Sequence, residues 1–253
     1  MVEALVIKLL ICYVGAPGST QQAQPVVNQF IARLEQAAGW PKGSVDSRFV
    51  VSPKQCDAAA AALKPMFVVM DLPSFLGRQR AWQLKALGHM GAADSQRYHV
   101  VVGPSGPAKV AALKGKQLVT TLAYAPEFVS RIVLGGKLAP KDLTLVASRR
   151  QLRGLRAVAR GQAAATIVDD AAYRHIAELK LGVALKSIHK SPGLPGLILA
   201  SRGRVEVRLL KAIAGAMPKL CKDEGAKVCL SFGVTSFIAA KPAVFAGLAR
   251  HYR

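Results

Sequence analysis

The sequence predicts an α/β protein whose sheets are mostly parallel, on three observations. Short apolar strands, such as Leu5 to Val14 and Met66 to Met70, alternate with segments whose apolar residues recur at helical spacing. From Leu113 to Asp170 one pattern occurs twice: an apolar strand, then small or hydroxyl residues, then an amphipathic helix. Apolar residues make up 51% of the 253 residues, which is ample for a core. Strands that feed helices in this way place a binding crevice at their carboxyl ends.

The first part of the chain reads as a βαβαβ-like series. After the first strand, Ser19 with Gln22 three residues later fits a capping box, and Gly39 is a plausible end for the helix. The elements predicted next are a strand Arg48 to Val51, a helix Asp57 to Leu63, the strand Met66 to Met70, a helix from Asp71 toward Trp82, and strands Leu84 to His89 and Tyr98 to Val102.

The second part repeats the strand and helix pattern. The elements predicted there are a strand ending at Thr121, a helix from Pro126 ended by Gly135 and Gly136, a strand Leu143 to Val146, a helix Arg149 to Arg160 capped by Ser148, a strand Ala163 to Val168, and a helix Ala171 to Leu179. A strand Leu197 to Ala200 and helices Arg204 to Met217 and Pro242 to His251 follow.

The charge balance predicts an anionic partner. The 35 Lys and Arg exceed the 14 Asp and Glu by 21, which attracts small oxyanions, nucleic acid or anionic lipid alike. Arg149, Arg153, Arg156 and Arg160 share one face of their predicted helix. This stripe is either a nucleic-acid contact or a solvated outer face, and the lack of interleaved aromatic residues favours the solvated face.

The four cysteines predict one local disulfide and leave the pairing of the other two open. Cys221 and Cys229 flank a polar turn and are expected to pair in an oxidising compartment, although two separate thiols are the alternative. Cys12 and Cys56 are interpreted as inert small apolar side chains. No spacing of Cys and His predicts a metal site, and neither a catalytic motif nor a phosphate loop is present, so neither an enzyme nor a cofactor is expected.

The N-terminal apolar stretch is interpreted as a buried strand. Leu5 to Val14 is too short to span a bilayer, and Glu3 stands where a signal peptide would carry positive charge. If the protein is exported, its signal is expected to be absent from this chain.

From Leu113-Lys114-Gly115-Lys116 through the strand, helix and small-residue strand to Asp170, the sequence resembles the second lobe of type II periplasmic solute-binding proteins. Within that superfamily it is most similar to the phosphate, phosphite and phosphonate-binding group of ABC importers. The resemblance implies two lobes joined by two hinge strands, with lobe one formed by residues 1–92 and 197–253 and lobe two by 93–196. It also implies a periplasmic or exported protein, expected to be a monomer, that captures a small anionic solute between the lobes and delivers it to a membrane permease.

The predicted ligand-binding residues lie at helix starts. Ser19 and Thr20 in the first lobe and Thr120 and Thr121 in the second offer hydroxyls and backbone N–H groups to an anion. Tyr124, Ser148 and Asp169 are further candidates, whose alternatives are packing for Tyr124 and helix capping for Asp169 and Ser148. Leu122 and Ala123 interrupt the hydroxyl run that is usual in phosphonate binders, so another small polar solute remains an alternative ligand.

Two other functions compete with a transport receptor. A ligand-sensing regulatory domain would use the same fold, and a basic nucleic-acid-binding protein would use the positive charge. The expected disulfide favours export and hence the receptor.

Overall fold

The computed structural model describes residues 6–14, 20–91, 96–231 and 234–252. The strands are β1 (Ile7–Cys12), β2 (Val45–Val50), β3 (Phe67–Met70), β4 (Leu84–Met90), β5 (Tyr98–Val102), β6 (Gln117–Thr120), β7 (Thr144–Ala147), β8 (Ala165–Asp169), β9 (Lys186–Lys190), β10 (Ile198–Arg202) and β11 (Phe237–Ala239). The α-helices are α1 (Thr20–Ala38), α2 (Pro53–Leu63), α3 (Leu72–Arg78), α4 (Gln151–Ala159), α5 (Asp170–Arg174), α6 (Val207–Leu220), α7 (Gly225–Ser231) and α8 (Pro242–Tyr252).

These elements form two compact units. The first comprises the described residues of Met1–Ala93 and Pro195–Ala246, and the second those of Asp94–Leu194 and Gly247–Arg253. By this division the last residues of α8 group with the second unit, while residues 197–253 were all predicted to belong to lobe one.

The first unit contains a six-stranded sheet in the order β11-β4-β10-β3-β1-β2. β1 pairs in parallel with β2 and β3, while β10 is antiparallel to both β3 and β4, and β11 is antiparallel to β4. β1, β2, β3 and β4 therefore all run in one direction. The mostly parallel sheet that the sequence predicts is confirmed, with β10 and β11 reversed.

The second unit contains a five-stranded sheet in the order β7-β6-β8-β5-β9. β6 pairs in parallel with β7 and β8, and β5 is antiparallel to β8 and β9. Four of these five strands thus run in one direction. The sequence analysis missed β9, whose Lys186-Ser187-Ile188-His189-Lys190 is polar, and β11, which has only three residues.

The core of the first unit lies between its sheet and helices α1 and α6. The inward residues of β1 (Ile7, Leu9 and Ile11) belong to the same buried cluster as Phe30 of α1 and Ile213 of α6. On α1 the buried residues follow the helical spacing that predicted it, and Gly39 ends the helix at φ +69°, a conformation that glycine adopts without strain.

Two disulfides fasten this unit. Cys221 and Cys229 are joined, as expected. Cys12 and Cys56 were interpreted as inert small apolar side chains with their pairing left open, and they form a second disulfide between the end of β1 and the first turn of α2. Sequence spacing gave no indication of this pair, since 44 positions separate its members and only the fold brings them together.

The segment after Pro126 is helical but not an ordinary α-helix. Phe128–Val133 is wound as a π-helix, and all of its residues except Arg131 are buried. The hydroxyl of Ser130, buried among apolar neighbours, donates to the Leu138 carbonyl at 2.5 Å. The wider winding and this internal hydrogen bond were not predictable from apolar spacing alone.

Helix α4 begins two residues later than predicted. Arg150 occupies the N-cap position and makes no side-chain capping hydrogen bond. Ser148, predicted to be the cap, instead donates from its Oγ to the Arg150 carbonyl at 2.9 Å and accepts from the Arg150 N–H at 3.4 Å. Ser148 therefore closes a short turn before the helix, and Arg149 precedes the helix rather than lying on it. Among the described residues, no helix has both the length and the hydropathy of a membrane span.

Candidate functional site

The candidate site lies at the carboxyl edge of the second sheet. β6, β7 and β8 run side by side in the same direction, so Thr120, Ala147 and Asp169 end at one edge. Loops that leave neighbouring parallel strands meet at such an edge and provide the usual position for a ligand. The structure thereby brings together four of the predicted residues: Thr120, Thr121, Ser148 and Asp169.

The hydroxyl of Thr120 shapes the loop after β6. Thr120 is 2% exposed, and its Oγ1 accepts a hydrogen bond from the Leu122 N–H at 3.1 Å. Its carbonyl accepts from the Ser148 N–H at 3.0 Å, which joins the loops after β6 and β7. Thr121 and Ser148 are only half-buried, so their hydroxyls are the more accessible pair at this edge.

Asp169 forms hydrogen bonds with the first turns of two helices. Its Oδ1 accepts from the Ala172 N–H at 2.8 Å, which caps α5. Its Oδ2 accepts from Gln151 Nε2 at 2.7 Å, while the Asp169 N–H donates to Gln151 Oε1 at 2.8 Å. Since Gln151 is the first residue of α4, this double contact fixes the start of α4 at the end of β8.

Positive charge borders the same edge. Arg149 and Arg150 are exposed in the turn between β7 and α4, and Lys190 ends β9 with 51% of its side chain exposed. The partly buried Asp170 lies 3.7 Å from Lys190 Nζ. The start of α4 adds the positive end of a nine-residue helix. Arginine side chains beside backbone N–H groups and hydroxyls form an environment that favours an oxyanion.

His99, which the sequence analysis left without a role, joins this edge through Asp170. His99 is 5% exposed; its Nε2 lies 2.6 Å from Asp170 Oδ1 and its Nδ1 lies 3.1 Å from Ser187 Oγ. The Ser187 hydroxyl donates to the His189 carbonyl at 3.0 Å. Both His99 ring nitrogens therefore face oxygen acceptors. The Tyr173 ring stacks on the imidazole, with centroids 4.0 Å apart.

The Asp170 carboxyl is kept ionised by these neighbours. Burial by itself raises the pKa of Asp170, but the hydrogen bond from His99 and the charges of Lys190, His99 and Arg97 outweigh burial, so the pKa lies below its ordinary value. An antiparallel register, in which Tyr98 pairs with Asp169, brings His99 to Asp170. No spacing along the sequence could have indicated this pair.

The other predicted residues are less well defined. Tyr124 is half-buried in the loop after β6 and takes part in an interaction within the protein. Thr20 is the first residue of α1, and Ser19 lies outside the described residues. Within the described ranges, His, Cys, Asp and Glu form no group of three that could hold a metal ion.

Among the described residues, polar contacts of Asp71 and an apolar recess lie at the carboxyl edge of the first sheet. Asp71, at the end of β3, caps α3 through the Ser74 N–H at 2.8 Å and also accepts from the Val14 N–H at 3.2 Å. The recess nearby is lined by Ile11, Tyr13, Phe30, Val69, Met90 and Leu197.

Solved structures share this fold. The chain is similar to a Xanthomonas citri protein bound to ATP (TM-score 0.71, 12% identity, 97% of this chain and 96% of that one). It is also similar to a binding protein component of an ABC phosphonate transporter from Pseudomonas aeruginosa (TM-score 0.68, 12% identity, covering 97% and 85%). A third similar structure is a Prochlorococcus marinus protein in complex with methylphosphonate (TM-score 0.67, 11% identity, covering 96% and 96%). No curated protein sequence matches the chain.

The fold is that of the type II periplasmic substrate-binding proteins. The family model described as "ABC transporter, phosphonate, periplasmic substrate-binding protein" matches residues 66–245, which is more than half of the chain. The chain therefore belongs to the phosphonate-binding periplasmic component family of ABC transporters, a family of transport proteins that work in the periplasm with a membrane permease. The resemblance stated from the sequence is confirmed.

Proposed function

We propose that this protein binds a phosphonate-type anion at the carboxyl edge of its second sheet and passes it to its permease as a monomer. The observation that carries the proposal is the convergence of the ends of β6, β7 and β8, which gathers Thr121, Ser148, Arg149 and Arg150 beside the start of α4. This edge offers hydroxyl donors, backbone N–H groups and two positive charges. Each of these groups can replace part of the hydration that an oxyanion loses when it leaves water.

The predicted residues take different roles in this proposal. Thr121 donates to the anion, Ser148 donates to it by exchanging the Arg150 carbonyl for the anion, and Arg149 and Arg150 balance its charge. Thr120 supports the site because it is buried, and Asp169 supports it because both of its carboxylate oxygens already accept hydrogen bonds within the protein. Tyr124 covers the anion from the loop after β6. Ser19 and Thr20 stay proposed ligands from the first unit on their sequence pattern alone.

Calorimetric titration with phosphate, methylphosphonate, ethylphosphonate and sulfate tests the proposal. Arg150→Gln is expected to weaken binding about 10-fold or more, because a hydrogen bond to a charged group contributes about 1.5–3 kcal/mol. Thr121→Val is expected to weaken it less. Matched controls lie at the far ends of the same elements: Thr144→Val, at the start of β7, and Arg160→Gln, just after α4, should leave the affinity unchanged.

Two outcomes would contradict separate parts of the proposal. Equal losses in the control and site variants would show that general charge, and not this edge, holds the anion. Phosphate binding more tightly than both alkylphosphonates would exclude a phosphonate as the preferred ligand while leaving the anion site intact. Light scattering of the purified protein measures its molar mass and so tests the proposal that it is a monomer.

A further inference from the structure

The outer face of α4 carries three arginines that the candidate site does not use. We define the arginine face as Arg153, Arg156 and Arg160. At 100° per residue these three positions fall within about 60° of one another, on the side opposite the buried residues Gly154 and Leu155. All three arginines are exposed, and among the described residues none of their side chains makes an ion pair or hydrogen bond. Their charge is therefore fully available to an external partner.

The rest of the molecule supports a large anionic partner rather than a small one. The first unit has 17 Lys and Arg against 8 Asp and Glu, a net charge of +9, and the second has 18 against 6, a net charge of +12. A single acidic patch on a protein would need complementary charge at one place only. Excess positive charge in both units matches an anionic surface that is wider than the protein. Each unit is then attracted electrostatically as the protein approaches that surface.

We propose that the arginine face docks the protein onto an anionic lipid bilayer. Guanidinium groups hydrogen-bond phosphate in pairs, and each basic residue close to an anionic membrane strengthens binding about 5-fold. α4 lies flat on its sheet, in contact with β5, β6 and β8, so its outer face can meet a plane without unfolding. Single-stranded nucleic acid is less well matched, because no aromatic side chain lies among the arginines to stack on bases. Docking would keep the receptor beside the permease that it serves.

Sedimentation with lipid vesicles tests the proposal directly. The wild type is expected to bind vesicles of phosphatidylglycerol mixed with phosphatidylcholine and not to bind vesicles of pure phosphatidylcholine. Salt at about 1 M should release the protein, because the Debye length falls to about 3 Å. Changing Arg153, Arg156 and Arg160 together to Gln should lower the partition coefficient about 100-fold. The same three changes to Lys should preserve most of the binding, because the charge is kept.

A charge-matched variant separates the arginine face from net charge. Lys42, Lys54 and Lys211 are exposed in the first unit, and changing all three to Gln removes the same charge elsewhere. Equal losses in the two triple variants, or no binding by the wild type, would overturn the proposal. Duplex DNA bound at salt concentrations that release the vesicles would also overturn it in favour of nucleic acid. Since the arginine face lies outside the candidate site, phosphonate affinity should be unchanged in both variants, and a melting curve confirms their fold.

Discussion

Gly154 of α4 packs closely against Thr166 of β8, and replacing it tests the packing of that helix on its sheet. A Cβ built at Gly154 would lie 2.3 Å from Thr166 Oγ1 and 3.2 Å from Thr166 Cβ. No pair of such atoms tolerates 2.3 Å, so Gly154→Ala must displace Thr166 or lift α4 from β8. Overpacking of this kind costs about 1–3 kcal/mol. Alanine has a higher helix propensity than glycine, which stabilises α4 by about 1 kcal/mol. The free energy of unfolding should therefore fall by about 1 kcal/mol in total.

Gly215 supplies the reference for helix propensity. It is exposed in the middle of α6, and a Cβ added there would meet nothing within 4 Å. Gly215→Ala should therefore stabilise the protein by up to about 1 kcal/mol. The difference between the two Gly→Ala changes isolates the packing cost at α4.

The assay is urea unfolding followed by circular dichroism, in a double-mutant cycle between Gly154→Ala and Thr166→Ala. Because the two glycines belong to different units, the cycle within the second unit is the decisive comparison. Thr166→Ala removes the hydroxyl that the new Cβ would meet, so Gly154→Ala should lose its cost in that background. The reasoning is refuted if Gly154→Ala stabilises the protein equally in both backgrounds.

Two further predictions concern the first unit. Replacing Cys12 and Cys56 with Ala should reduce the free energy of unfolding by about 4 kcal/mol, and replacing Cys221 and Cys229 should reduce it by about 2.5 kcal/mol. The first loss is larger because that disulfide closes a loop of 44 residues and the second closes one of 8, and a longer closed loop restricts the unfolded chain more. Denaturant titration of the two double variants measures both losses, and a larger loss from the shorter loop would contradict the prediction. Burial lowers the pKa of His89, which is 2% exposed. The unfolded chain therefore takes up this proton first as pH falls below about 6.5, so stability should decline by up to about 1.4 kcal/mol per pH unit until the folded pKa is reached. His89→Leu should flatten this part of the pH profile, and an unchanged profile would show that His89 does not cause it.

The parts of the fold that local patterns determine were predictable. Helical spacing of apolar residues identified α1, and short apolar runs identified β1 and β3 at nearly their observed bounds. Strand pairing was not predictable, because it depends on which distant segments share a hydrophobic face. The disulfide between Cys12 and Cys56 depends on that pairing.

The same distinction applies to the candidate site: residues that local patterns identify were predictable, and residues that strand pairing brings to the site were not. Thr120, Thr121, Ser148 and Asp169 were found because residues at the ends of apolar strands before helices can be read directly from the sequence. His99 and Lys190 were missed, because β5 starts and β9 ends at that edge only through antiparallel registers. Arg149 and Arg150 were missed as site residues because α4 was expected to begin two residues earlier, which would have placed Arg149 on its outer face.

The position of β10 sets an order of events during synthesis. This strand lies between β3 and β4 in the first sheet, yet the chain reaches it only after all the strands of the second sheet. Until residues 198–202 emerge, β4 has no partner in the sheet other than the still later β11. We therefore expect the second unit to mature while the first still has an open, aggregation-prone strand edge. Hydrogen exchange of ribosome-bound chains, stalled before residue 198 has emerged, should show protection in β6 and β8 but not in β4; protection of β4 in such chains would show that it does not need β10.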